Sequence, residues 1–368
     1  MGGSIGQAGE AFKPQGPGLA SLPGRGEALS VVSAYIAGTG SYLPPNVVRN
    51  RDLSEVYGMD SDDDWVVRRT GIEERRFAER GVGPADLAVP AALEAIERAR
   101  LLPRDIDMII FATLSPEFAF PGSGVLLGDK LGLPGVPALD VRNQCSGFIY
   151  ALATATSMVK SGGVRHALVV GSEVHSAALD LSTRGRNVAT IFGDGAGAAV
   201  VSASDDDERG VLRWQLGADG RYSEHLMQRV WDTRERPFIP LDEKGRGVID
   251  PSLLWAQMNG PSVFKHAVEK MSLTLLSLCW DGRLSFEDVA HFVLHQANLR
   301  INQAVMEQLK LPPERVPSTV QKYGNTTAGT IPILLAELDR AGKLERGQLL
   351  ALAAFGSGFT WGGALLRW

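Results

Sequence analysis

Short apolar runs of strand length alternate along the chain with longer stretches whose apolar residues recur every three or four positions. "VVSAYIAGTGSYLP" (31–44) opens as a strand and ends in a glycine turn, "DLAVPAALEAIERARL" (86–101) has helical spacing, and "DIDMIIFAT" (105–113) reads as a buried strand. "SGVLLGDKLGL" (123–133) reads as a helix, "VPALDV" (136–141) as a strand, and "GFIYALATATSMVKSG" (147–162) as a helix closed by glycine. "RHALVVGSE" (165–173) and "GAGAAVVSA" (195–203) are further strands. Such alternation predicts an α/β protein with parallel sheets and helices on their faces.

The second half repeats the first. "DIDMIIFA" at Asp105 is echoed by "DVAHFVLH" at Asp288, and "VPALDVRNQC" at Val136 by "VPSTVQKYGN" at Val316. "FGDGAGAAVV" at Phe192 is echoed by "FGSGFTWGGALL" at Phe355. Three echoes in one order indicate a duplicated unit, with halves 31–205 and 206–368 joined through the acidic "SASDDDERG" (202–210). Residues 1–30, with eight glycines and three prolines, have no period and no secretory pattern; they read as a flexible leader.

Composition removes several classes. With 37 basic and 42 acidic residues the net charge is −5, which disfavours a nucleic-acid scaffold. No apolar run reaches membrane-span length. Two cysteines make no disulfide framework and no metal-ligand spacing is present, so a reduced cytoplasmic setting without a metal is expected.

The duplication pairs Cys145 with Asn325, each after a strand and before an apolar helix, so a pseudo-twofold would bring both loops together. Cys145 as core filler is the ordinary reading of a buried cysteine. Its place at a helix start suggests instead a nucleophile with a lowered pKa. Cys279, on an apolar helical pattern, reads as core. His295 ends a strand and opens the polar cluster "HQANLR"; His166, His175, His225, His266 and His291 lack such company. Asn325 alone would be a turn residue. A Cys, a His and an Asn serve either hydrolysis, with His activating Cys, or stabilisation of a developing oxyanion by His and Asn. The glycine clusters 193–197 and 356–363 each precede a strand, which argues against a dinucleotide fingerprint.

From residue 31 to 368 the chain resembles the β-ketoacyl-acyl-carrier-protein synthase III family. The resemblance is carried by "WVVRRTGIEER", "CSGF", "RGRNVATIFGDGAGAAVV", "HQANLRI", "YGNTTAG" and "FGSGFTWGGALLRW". It implies a thiolase-like, duplicated, five-layered αβαβα fold, a homodimer, and no permanently bound cofactor. It implies that acyl-CoA acylates Cys145 and that malonyl-acyl carrier protein is then decarboxylated, its enolate held by His295 and Asn325. Backbone amides of Cys145 and Ser357 would form the oxyanion hole. Trp65, Arg69 and Arg184 would contact CoA, Arg300 and Lys265 would dock the carrier protein, and Phe120 would limit the acyl pocket across the dimer. The alternatives are a specialised acyltransferase with another donor or acceptor, a Cys–His thioester hydrolase, and a non-catalytic binding module. Four departures put the substrates in question: Ser357 replaces the middle glycine of the closing motif, Ser146 replaces an alanine, Pro261 replaces a pantetheine-contacting asparagine, and "RVWDTRERPF" (229–238) is unlike the usual segment.

Overall fold

The computed structural model describes residues 33–206, 208–230, 232–234 and 239–368. The expected leader lies outside the described residues, as does part of "RVWDTRERPF". The first apolar run is a single strand, β1 (Ser33–Tyr42), with no turn at its glycines. A Cβ on Gly38 would lie 2.3 Å from the Ala95 carbonyl oxygen, and one on Gly40 would lie 2.1 Å from that of Ala91. Both carbonyls belong to helix α1 (Pro84–Arg98), so these glycines let helix backbone rest on strand backbone.

The first sheet adds β2 (Met108–Ala112), β3 (Ala138–Val141), β4 (His166–Glu173) and β5 (Gly195–Ser204), in the order β1-β5-β4-β2-β3. β2 runs parallel to β3 and β4, but β5 is antiparallel to both its neighbours. The sheet is therefore mixed rather than parallel, because the link from β4 to β5 contains only short helical turns and no crossover helix.

The second sheet comprises β6 (Gly210–Ala218), β7 (Val289–Leu294), β8 (Leu349–Gly356) and β9 (Thr360–Arg367), in the order β7-β8-β9-β6. Two echoes fall on paired elements: β2 with β7, and β5 with β9. The third does not, because residues 316–319 form no strand. The amides of Thr319 and Val320 and the Ser318 hydroxyl all donate to Gln296 Oε1, which removes those amides from any ladder.

Three apolar clusters define five layers. Leu87, Ala91 and Ile96 of α1 pack on Ile109 and Phe111 of β2 at one outer face. Ile110, the opposite face of β2, meets helices α2 (Gly147–Lys160) and α5 (Thr330–Arg340), which also bury Val293, Leu350 and Leu352 of the second sheet. Helices α3 (Gly260–Gly282) and α4 (Leu299–Leu309) cover the far side, with Cys279 in that core as expected. Among the described residues no helix is long and apolar enough to cross a membrane.

The two central helices start side by side. A Cβ on Gly147, the first residue of α2, would lie 3.5 Å from Ala328, just before α5. A Cβ on Gly171 of β4 would lie 2.2 Å from the Ala328 carbonyl oxygen. Gly171→Ala is therefore expected to push the 325–330 segment off β4 and to destabilise by about 1–3 kcal/mol or more. Chemical denaturation checks the loss, and an unchanged midpoint would show that the segment yields freely.

Candidate active site

Cys145 sits in the helical turn Gln144–Ser146 that opens α2, and Gln144 takes a left-handed φ of 45° to turn the chain from β3. The sulfur is buried. The side chains of Asn325 and Thr327 act on it as hydrogen-bonding groups that pull its pKa down, so the two matched loops meet at this atom. The Asn325 amide is oriented by Thr327 N, which donates to Oδ1 at 2.8 Å and leaves Nδ2 as the donor toward sulfur. A Cβ on Gly356 would lie 2.9 Å from Cys145 Cβ, so the closing motif presses backbone against the cysteine.

The lowered thiol pKa expected at a helix start is not what the surroundings favour. Burial, followed by the nearby Glu173 carboxylate, pushes the Cys145 thiol up to about 12, against the opposing bonds from its own amide, Thr327 and Asn325. Glu173 is itself buried at the end of β4. It accepts bonds from the Thr113 and Ser115 hydroxyls and the Leu114 amide, yet desolvation still lifts its carboxyl to about 7.

His295 follows β7, and its amide donates to Ala353 O at 2.9 Å. Its ring is buried and held neutral, with a pKa lowered to about 3 by desolvation. Nδ1 lies 2.7 Å from Thr330 Oγ1, whereas Nε2 has no protein partner among the described residues. Gln296 beside it clamps the loop leading to Asn325, which accounts for the polar cluster after β7. A second buried imidazole was missed in the sequence. His175 Nε2 lies 2.6 Å from Thr327 Oγ1, and its ring packs 4.7 Å from that of Phe192. The signal was the polar "EVHS" at the end of an apolar strand.

These groups open on a cavity of about 670 Å³ whose lining includes Trp65, Arg69, Cys145, His295, Arg300 and Asn325. Pro261 also lines it, at the first turn of α3, where its missing N–H costs nothing. The Arg69 guanidinium lies 4.5 Å from the Trp65 ring centroid. Arg184 is not brought there: Asp180 holds it at 2.6 Å, away from the lining. Arg186, also outside the lining, lies 5.2 Å over the Trp65 ring that belongs to it and bonds to Asp60 O. Lys265 is exposed on α3 outside the lining. Phe120 is 86% exposed, so it is neither core nor part of this cavity. Ser357 follows Gly356, and its hydroxyl donates to Leu226 O.

Glu173 supplies a pH prediction. Its folded pKa is raised, so the stability it contributes is full below about 4.5 and is lost as pH rises through about 7. Glu173→Gln removes that loss. The difference in melting temperature, variant minus wild type, is expected to become more positive between pH 4.5 and 7, equivalent to about 3 kcal/mol at most. A pH-independent difference in thermal melts would contradict it.

The model of the 3-oxoacyl-[acyl-carrier-protein] synthase III family matches residues 139–220, and that of its C-terminal part matches residues 281–368. The chain is 41% identical over 335 residues to β-ketoacyl-[acyl-carrier-protein] synthase III 1 of Halalkalibacterium halodurans, which spans 91% of this chain and 98% of that protein. The crystal structure of 3-oxoacyl-[acyl-carrier-protein] synthase III from Aquifex aeolicus matches with a TM-score of 0.80 and 39% identity, over 91% of this chain and all of that one. The priming β-ketosynthase of the R1128 polyketide pathway matches with a TM-score of 0.82 and 30% identity, over 94% and 98%. The layered fold expected from the resemblance is thus the thiolase-like fold of these structures, and the chain belongs to the β-ketoacyl-acyl-carrier-protein synthase III family of acyltransferases.

Proposed function

We propose that Cys145 takes an acyl group from acyl-CoA and passes it to the enolate formed by decarboxylation of malonyl-acyl carrier protein. The observation that carries this reading is the junction at the sulfur. Cys145, Asn325 and His295 line one cavity, Asn325 pulls the cysteine pKa down, and Nε2 of His295 is left without a protein partner among the described residues. In the first step the Cys145 thiol gives its proton to water, the thiolate attacks the thioester carbonyl, and the amides of Cys145 and Ser357 receive the oxyanion. The Ser357 hydroxyl is already engaged by Leu226 O, so its backbone amide is the donor left to it. CoA departs as its thiolate and takes a proton from solvent. In the second step carbon dioxide leaves malonyl, and the enolate oxygen accepts from Asn325 Nδ2 and His295 Nε2. His295 donates there in the tautomer protonated at Nε2; Thr330 Oγ1 lies within reach of both His295 Nδ1 and Thr327 O, and for this step its hydroxyl turns from Thr327 O to Nδ1. The enolate carbon then attacks acyl-Cys145, a β-ketoacyl thioester forms, and the cysteine thiolate is released.

Binding roles follow the geometry. Trp65 between Arg69 and Arg186 offers a stacking platform at the cavity wall for the CoA nucleotide. Arg300 at the mouth and exposed Lys265 offer cations to an acidic carrier protein. Phe120, with the exposed Phe118 and Leu139 on and beside the edge strand β3, suits a second copy of the chain, and would complete that copy's acyl pocket. Pro261 in the lining favours a second reading in which the donor or acceptor differs from that of the housekeeping enzymes.

Intact-mass measurement after incubation with acyl-CoAs, followed by malonyl-carrier protein, tests the sequence of events. An acyl adduct absent in Cys145→Ala and then a β-ketoacyl product are expected. An adduct with no product would favour the second reading, and no adduct across the panel would remove the nucleophile. His295→Ala and Asn325→Ala are expected to keep acylation and lose roughly 10²–10³ in condensation rate. For the platform, Arg186→Ala is expected to raise KM for acyl-CoA roughly 2- to 30-fold, and Arg184→Ala to leave it nearly unchanged. The reverse ranking would return the CoA contact to Arg184.

A further inference from the structure

We propose that His175 is a positioning residue for the reacting cysteine: its Nε2–H holds the Thr327 oxygen, which commits the Thr327 hydroxyl proton to the Cys145 sulfur. The inference rests on Cys145 being the nucleophile and adds a residue to its environment. Three observations meet here. His175 Nε2 lies 2.6 Å from Thr327 Oγ1, and the Thr327 side chain is among the groups that pull the Cys145 pKa down. Thr327 has φ 50°, a left-handed conformation that a β-branched residue rarely adopts. The carbonyl of Thr327 accepts from Thr330 Oγ1 and its amide donates to Asn325, so the residue is held from several sides.

The direction of the bonds follows from chemistry. A thiolate can only accept. Thr327 has one proton, and to stabilise the thiolate it must give that proton to sulfur. The oxygen then needs a donor, and a neutral imidazole protonated at Nε2 supplies it. Burial keeps His175 neutral at physiological pH, with its pKa lowered to about 3. The titratable groups around the sulfur are Glu173 from β4, His175 just after it, and His295 after β7. Glu173 opposes the thiolate, and the Thr327 and Asn325 donors work against it.

The test measures Cys145 alkylation by iodoacetamide, read by mass at several pH values, and acylation by acyl-CoA on the full-length protein. A bond to a charged acceptor corresponds to about one pK unit. Thr327→Val and His175→Leu are therefore expected to slow both reactions about tenfold at fixed pH and to move the alkylation profile up by about one unit. Thr327→Ser and His175→Gln retain a hydroxyl and an N–H donor respectively, and are expected to stay near wild type. Wild-type behaviour in His175→Leu would overturn the proposal. So would His175→Gln losing as much as His175→Leu, which would mean that imidazole titration matters rather than donation. The His175 pair decides the question even if Thr327→Val does not fold. A wild-type protein that takes no acyl group would instead remove the nucleophile reading itself.

Discussion

A thiol, a carboxyl and two imidazoles lie buried between two sheets, and each costs free energy there unless it finds a partner. Much of the local backbone around the site answers that cost. Glu173 draws in the loop after β2 through Thr113, Leu114 and Ser115. The segment 325–330 turns tightly enough to offer Asn325 and Thr327 to the sulfur, Thr327 to His175, and Thr330 to His295. The left-handed φ of Thr327 is the cost of packing so many donors into six residues. The exception is informative: His295, which lines the cavity, has no protein partner for Nε2 among the described residues, as a group kept for substrate should.

The two halves use one device twice with different outcomes. Each brings a turn to the same point and continues into a central helix, but only the first half enters that turn from a strand. The first half places a nucleophile there, and the second places amide and hydroxyl donors. The asymmetry extends to the sheets, five strands against four. The missing strand is the segment whose amides Gln296 has taken, so the loss of pairing is what frees the second loop to shape the donor side.

Much of this was legible in the sequence because it depends on period and order. The helical and strand spacings placed α1, α2, β2 and β4, and the echoes paired Cys145 with Asn325 before any contact was known. What was not legible depends on contacts between distant segments. The glycines of β1 looked like a turn because the approach of the Ala91 and Ala95 carbonyls cannot be read from "GTG". Arg184 and Arg186 are two residues apart, and only the fold shows that Asp180 holds one while Trp65 receives the other. His175 stands near Glu173 and Ser176 in sequence, but the partner that gives it a role lies 152 positions away. The cysteine's surroundings misled for a related reason: helix position is visible in sequence, but Glu173 and full burial are not.

The contact between Gly356 and Cys145 has a consequence for any molecule that reacts with the thiol. Backbone at position 356 stands where a side chain would overlap the cysteine Cβ. A natural variant that tried to exclude a thiol-reactive drug by enlarging this position would displace its own nucleophile as well. Resistance arising within the site would have to come from the outer lining, around Pro261 or Arg300, where room can be altered without moving the sulfur.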